Sequence, residues 1–385
     1  MASKPSTTKP PSKVYDVLIV GAGPAGLTVA STVVRQLRTA IVFDTGVYRY
    51  GRTNHLYGVP GFDHVEPDTY RLKIRGDILR RYDSVTFKNA YIEEVRRLDN
   101  GNFQATDGWL NVYEGRKVVL AAGVKDITPM MEGYDFCWGR GIFNDLLYHG
   151  LEERGGESAG LFAFETPSCS DTISQVGSLA LQLSKAVRVY TNGNEGAASK
   201  IQAIAGRLDV QSRVTIEERP IRSVYMVSSE ASDVLVTLAD GTQFKESFIV
   251  HQPPVELNGP NVDSLGLERG PRGEIEVYPP FNETSVHGVF AAGDAASQFH
   301  AVSNAIYGGS VAAAGLIAQL QADQAQLQSE QPKPQAERIG GPQVKLQAEQ
   351  LNPQAEEAGS RSDQPDVQTE VQAEVSQVQF DLQAE

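Results

Sequence analysis

The segment VLIVGAGPAGL, residues 17–27, constrains this chain more than any other stretch. An apolar run that reads as a buried strand meets Gly21, Gly23 and Gly26, and an apolar-periodic stretch that reads as a helix follows. Gly21 permits a tight turn, Gly23 lets a phosphate approach the backbone, and Gly26 allows helix and strand to pack closely. Ala22, Pro24 and Ala25 complete the loop and first helical turn, where free N–H groups and the helix dipole favour an anion. The next strand, TAIVFD, ends at Asp44, 23 residues after Gly21. A carboxylate there holds ribose hydroxyls and disfavours a 2′-phosphate. Strand, glycine turn, helix, strand and acid together specify a dinucleotide-binding βαβ unit. A glycine-rich turn that binds nothing leaves Asp44 unexplained.

The pattern repeats downstream with interruptions. A helix is expected at LKIRGDILRRY, strands at VTFKNAYIEEVRRL, GNFQATD and RKVVLAAG, and a second βαβ-like unit at AGLFAF, SDTISQVGSLALQLSK and AVRVYTN. Strands around RPIRSVYMVS, DVLVTLAD and ESFIVHQ precede GVFAAGD and the helix AVSNAIYGGSVAAAGLIAQL. Two nucleotide-type units separated by β-rich stretches imply an α/β architecture of two domains. Residues 141–156, GIFNDLLYHGLEERGG, read as a helix carrying Asp145, Tyr148 and His149.

Composition narrows the partners. The 385 residues carry a net charge of −14, of which residues from Gln321 onward contribute −8 through 12 acidic and 4 basic side chains. An acidic chain has no electrostatic footprint for nucleic acid. No run of 18 apolar residues is present, so no membrane-spanning segment is expected. The first 13 residues, polar and proline-rich, read as a disordered arm without an apolar signal core. QAE recurs at 335, 347, 354, 372 and 383 among five prolines, and 321–385 reads as a disordered, low-complexity acidic tail. Two cysteines, Cys137 and Cys169, make neither a disulfide framework nor a metal site, and point to a reducing, cytoplasmic compartment. The six histidines show no metal-ligand spacing.

Two further stretches carry a resemblance. HGVFAAGDAA at 287–296, an apolar strand ending in Gly293-Asp294, resembles the second FAD motif of two-dinucleotide flavoproteins, and VVLAAGVKD at 118–126 resembles their crossover signature. With the first glycine motif, three signatures stand in family order over residues 14–320. The chain resembles the thioredoxin-reductase-like flavoproteins, particularly the fungal dithiol oxidases of the gliotoxin-biosynthesis type. RTNHLYGVPGFDH and RGDILRRY look like that branch's segment beside the flavin. The resemblance implies FAD, with Asp294 at the ribityl–pyrophosphate region and His55, Ala122, Ala301 and Val302 at flavin contacts. The helix opening near Ala301–Val302 would aim its positive end at the pyrimidine edge of a reduced flavin. It also implies a homodimer and a split FAD domain, 14–126 plus 249–320, around an inserted NADPH-type domain at 127–248.

The sequence departs from that pattern twice. Where the inserted domain should carry a glycine loop it reads ETPSCSD; Glu165 repels a pyrophosphate and Pro167 removes an N–H donor. The following strand ends in YTNGNE, without arginines for a 2′-phosphate, so NADPH binding is expected to be lost. In the family, the segment at 145–149 carries Cys-x-x-Cys and then an acid–base residue. Asp145 and Tyr148 stand at the cysteine positions and His149 keeps the third. A carboxylate and a phenol form no disulfide. His149 suits proton transfer, Asp145 suits a base or a partner for the flavin, and Tyr148 suits substrate positioning. The expected activity is an FAD-dependent oxidase or oxygenase acting directly on a small molecule, with dioxygen as the electron acceptor. A sulfur-containing diketopiperazine is the substrate type the resemblance implies. The alternative is a flavin-binding protein without redox turnover.

Overall fold

Why the glycine loop lies where it does follows from how β1 is buried. In the computed structural model, which describes residues 13–164, 170–207 and 212–330, β1 (Val14–Val20) runs through the middle of the first sheet. Val17 and Ile19 point into one apolar core, Leu18 and Val20 into another, so both faces of the strand are covered. After it come α1 (Pro24–Val34), β2 (Ala40–Asp44), α2 (Pro67–Arg81), β3 (Val85–Asn89), β4 (Ile92–Arg97), β5 (Phe103–Asp107) and β6 (Val112–Leu120). The sheet order is β3-β2-β1-β6-β5-β4, parallel from β3 to β6 and antiparallel beyond.

The chain then leaves through β7 (Val124–Asp126) and passes through α3 (Tyr134–Cys137), β8 (Ile142–Phe143), β9 (Gly156–Phe162), α4 (Ser170–Leu183), β10 (Ser184–Tyr190), α5 (Glu195–Arg207) and β11 (Val214–Glu217). β12 (Ile221–Met226), β13 (Val234–Leu238) and β14 (Gln243–Glu246) form an antiparallel sheet before β15 (Phe248–His251). The second parallel sheet has the order β11-β10-β9-β15-β8. β16 (Val255–Leu257) pairs antiparallel with β7, a two-stranded ribbon where the chain exits and returns. β17 (Val289–Ala291) adds parallel to β6, and α6 (Val302–Glu330) packs along α1 through Ala305, Ala312, Ala313 and Leu316. All described residues belong to one unit, Met1–Gln331. None of their helices is long and apolar enough to cross a membrane.

Three expectations need correction. Residues 141–156 do not form a helix: Ile142 and Phe143 pair with β15, residues 144–149 run as bends, and only Leu151–Glu153 makes a 3₁₀ turn. Asp145 Oδ1 accepts the N–H groups of Leu147 and Tyr148 at 3.0 Å each, as a helix N-cap would. Gly150, at φ 111°, then breaks off the turn. Second, β15 sits between β9 and β8, so residues 249–251 belong to the inserted sheet rather than to the returning FAD segment. Third, α6 continues to Glu330, ten residues beyond the expected end at 320. The first 12 residues, those after 330 and the ETPSCSD loop up to Cys169 lie outside the described residues.

Candidate active site

A cleft of about 1110 Å³, counted to its solvent-open mouth, runs along the carboxyl ends of β1, β2 and β6. Its wall includes Gly21, Ala22, Gly23, Pro24, Ala25, Asp44, Ala122, Gly293, Asp294, Ala301 and Val302. Eleven of the expected cofactor residues are thus brought to one surface from four separate stretches of chain. Gly21 sits at φ 110°, and a Cβ there would lie 2.3 Å from the Ala121 carbonyl oxygen. Gly26 lies behind the wall, where a Cβ would meet the Gly21 carbonyl oxygen at 1.9 Å. Gly23 is different: a Cβ would meet nothing within 4 Å, so the backbone is bare toward open space. Gly23 is also the N-cap of α1 and has no side-chain cap, which leaves the first-turn N–H groups free for an anion.

Asp44 closes one end. Its Oδ1 accepts from the Gly46 N–H at 2.9 Å and the Tyr48 hydroxyl at 2.7 Å, while Arg75 reaches Oδ2 at 3.2 Å. One lone pair of Oδ2 remains for a ribose hydroxyl. Asp294 is less free than the sequence suggests. Arg49 donates from Nη1 to its Oδ2 at 2.9 Å, and from Nε and Nη2 to Asp126 at the end of β7. This nearly buried triad ties the second FAD motif to the ribbon between the sheets. The bare Gly23 backbone, the uncapped α1 terminus and the Asp44 carboxylate along one cleft fit an FAD.

A smaller chamber of about 330 Å³, again counted to its solvent-open mouth, adjoins the cleft through Leu56, Ala301 and Val302. Here Asp145, Tyr148, His149 and His55 meet, together with Tyr50, Tyr57 and His300. His55 therefore stands in this chamber and not on the main cleft wall. The His149 ring stacks on Phe143 (centroids 5.5 Å, planes 11° apart) and meets Tyr57 edge-on at 5.5 Å. Its Nε2 is buried and has no hydrogen-bond partner. Burial lowers the His149 pKa from the ordinary 6.5, against the opposing charges of Asp145 and Glu152. The imidazole is therefore neutral near pH 7, with a ring nitrogen available to take a proton. Tyr148 lies over Gly58, whose φ of 66° and missing Cβ make room for the phenol ring. Cys137 is fully buried and burial pushes its thiol up to about 11, an inert thiol rather than a redox partner.

Sequence reasoning missed Arg49, Tyr50 and His300. Arg49 and Tyr50 lie in an irregular stretch with no periodicity, and only contacts with distant residues give them a place. His300 directly precedes the predicted flavin contact Ala301, and that adjacency was the available signal. Burial pushes the Tyr50 phenol well above its ordinary pKa, so it remains protonated.

The inserted sheet has an unusual carboxyl edge. His251, Phe162 and Tyr190 stand side by side on β15, β9 and β10, with Phe164 5.2 Å from the His251 ring. Arg188 on β10 is held by Glu246 and packs over Phe244. The crevice outside such an edge is where an open parallel sheet binds its nucleotide. Here buried aromatic rings crowd that edge.

Residues 15–149 match the pyridine nucleotide-disulphide oxidoreductase family. The thioredoxin reductase aclD of Aspergillus oryzae is 38% identical over 313 residues, 81% of this chain and 98% of that protein. The thioredoxin reductase sirT of Leptosphaeria maculans is 39% identical over 308 residues, covering 79% and 93% of the two chains. Among solved structures, HlmI superposes with a TM-score of 0.72 at 23% identity, covering 83% of this chain and 96% of its own. TrxB from Bacillus anthracis gives 0.71 at 19%, covering 80% and 99%. With relatives this similar along almost their whole length and an FAD-shaped cleft in the fold, the chain belongs to the thioredoxin-reductase-like pyridine nucleotide-disulphide oxidoreductases and is an FAD-dependent oxidoreductase.

Proposed function

We propose that this enzyme is an oxidase that acts directly on a small molecule, without a protein disulfide relay. The observation that carries this reading is the composition of the chamber: an acid, a phenol and an imidazole whose Nε2 has no hydrogen-bond partner, and no thiol among its described residues. A bound FAD supplies a two-electron acceptor that dioxygen regenerates. His149 Nε2 takes the proton that the substrate gives up as it is oxidised, and Phe143 and Tyr57 hold the imidazole in place. Asp145 caps the turn that presents His149 and favours the imidazolium by its charge. Tyr148 and Tyr57 offer ring faces for the substrate. The aromatic carboxyl edge of the inserted sheet supports a reaction in which the substrate itself, rather than NADPH, brings the electrons. We also infer a homodimer, which sedimentation would test.

The deciding experiment is anaerobic titration of the purified holoenzyme, followed by flavin bleaching. A panel of small molecules, including sulfur-containing diketopiperazines, should include one that bleaches the flavin, and air should restore the colour. Undiminished turnover in a double His149→Ala, Asp145→Ala variant would remove both residues from the reaction. Turnover that requires added thioredoxin would overturn direct action.

A further inference from the structure

Beside the His149 chamber lies a third, open cavity of about 280 Å³, counted to its solvent-filled mouth, which shares His149, Tyr50 and Thr53 with it. Its ring walls are Tyr50, Trp138, Phe143 and His149. Trp138 stacks on Tyr134 at 5.7 Å with planes 21° apart, which fixes the indole as a flat wall. Of the polar side chains lining the cavity, Arg49, Arg52 and Trp138 can only donate, whereas Tyr50, Thr53, Asn144 and His149 also carry acceptor atoms. Arg49 has its guanidinium committed to Asp126 and Asp294, but Arg52 pairs with no carboxylate among the described residues. Arg52 Nη1 donates at 2.6 Å to the backbone carbonyl of Asp135, whose carboxylate instead takes the Thr128 hydroxyl. Asn144 Oδ1 accepts the Tyr50 hydroxyl at 3.4 Å, which leaves the amide nitrogen as its donor. No acidic residue lines this cavity.

We propose that this cavity is a substrate subsite for a planar ring bearing a carbonyl or carboxylate oxygen. The ring lies against Trp138 and the oxygen accepts from Arg52 and Asn144. The inference rests on the proposed direct action on a small molecule and names the part of that molecule held next to His149. A lining without an acid disfavours a cationic ligand, because an ammonium would meet the Arg52 guanidinium with no lining carboxylate to offset it. Flat aromatic walls select a planar group, and the guanidinium fork suits a carboxylate or carbonyl better than a point charge would.

The chain has two tryptophans, and Trp109 lies exposed on the β5–β6 turn. In a Trp109→Phe holoenzyme, Trp138 fluorescence therefore reports this cavity alone. Benzoate, benzamide and benzylamine present one ring with an anionic acceptor, a neutral acceptor and a cation. Benzoate and benzamide should quench Trp138 saturably, and benzylamine about tenfold more weakly or not at all. Adding Arg52→Gln should weaken benzoate about tenfold or more, and benzamide less, with the bound-flavin spectrum unchanged as the check on folding. Stronger loss for benzoate identifies the carboxylate as the preferred group; equal loss for both probes identifies the carbonyl. Benzylamine binding as tightly as benzoate, or acceptor binding indifferent to Arg52→Gln, overturns the subsite. Fluorescence titration needs no flavin reduction. The subsite thus stands or falls separately from the oxidase reading, which flavin bleaching decides.

Discussion

His149 is held between burial, which disfavours its charge, and the carboxylates of Asp145 and Glu152, which favour it; burial prevails and the pKa falls below 6.5. In the proposed reaction the neutral imidazole is the base, so kcat/KM should be level above neutrality and decline as pH falls through that lowered pKa. Asp145→Asn keeps the oxygen that caps the Leu147 and Tyr148 N–H groups but removes the negative charge. The imidazole pKa should drop further and the acid limb of the pH profile should move to lower pH; a limb that moves upward contradicts the assignment. Asp145→Ala removes the cap as well and should cost about 1 kcal/mol in thermal unfolding. His149→Gln should lower kcat/KM by about 10²–10⁴-fold while leaving flavin content intact. That these residues are candidates for the chemistry was legible in the sequence by resemblance. Their conformation was not, because the turn's helix-like spacing masks two residues drawn into the β15 edge and a glycine at φ 111°.

At the scale of elements, the loop between β1 and α1 separates two jobs that one motif name merges. Gly21→Ala places a methyl 2.3 Å from a backbone oxygen, at a φ that L side chains avoid. It should destabilise the fold by about 1–3 kcal/mol and cost flavin content together. Gly23→Ala meets nothing within 4 Å at φ −74°, so its melting temperature without flavin should be unchanged. Its methyl would project where a phosphate approaches, so flavin affinity should fall about tenfold or more by absorbance titration. Unchanged affinity would place the pyrophosphate elsewhere. β15 makes a pH-dependent contribution to stability. His251 is buried beside Tyr134, whose hydroxyl lies 2.6 Å from Nδ1, and burial lowers its pKa to about 3. The unfolded chain takes up a proton near 6.5 that the folded one refuses. The contribution is therefore intact above 6.5 and is lost progressively as pH falls from there toward 3. Melting temperatures across that window should show the loss, and His251→Leu should flatten it from a lower starting stability.

Across the whole molecule, the two parallel sheets have the same plan but different carboxyl edges. The first opens a cleft with bare glycine backbone; the second crowds His251, Phe162, Phe164 and Tyr190 together. NADPH should therefore fail to bleach the flavin of the holoenzyme under anaerobic conditions, and rapid bleaching by NADPH would refute the substrate-as-reductant scheme. What the sequence determined by itself was whatever depends on short-range pattern: the glycine turn, the acid at the end of β2, the order of the motifs and the absence of cysteines at 145 and 148. Each is a local demand on backbone or chemistry, and local demands are written in neighbouring residues. Tertiary structure alone decided the rest. Arg49 joins Asp126 to Asp294 across a separation of 245 residues at its longer reach, and Trp138 and Arg52 come together at one cavity from different segments. No spacing encodes those meetings, because burial of apolar surface brings the segments together and the polar groups then pair with whatever the packing puts in reach.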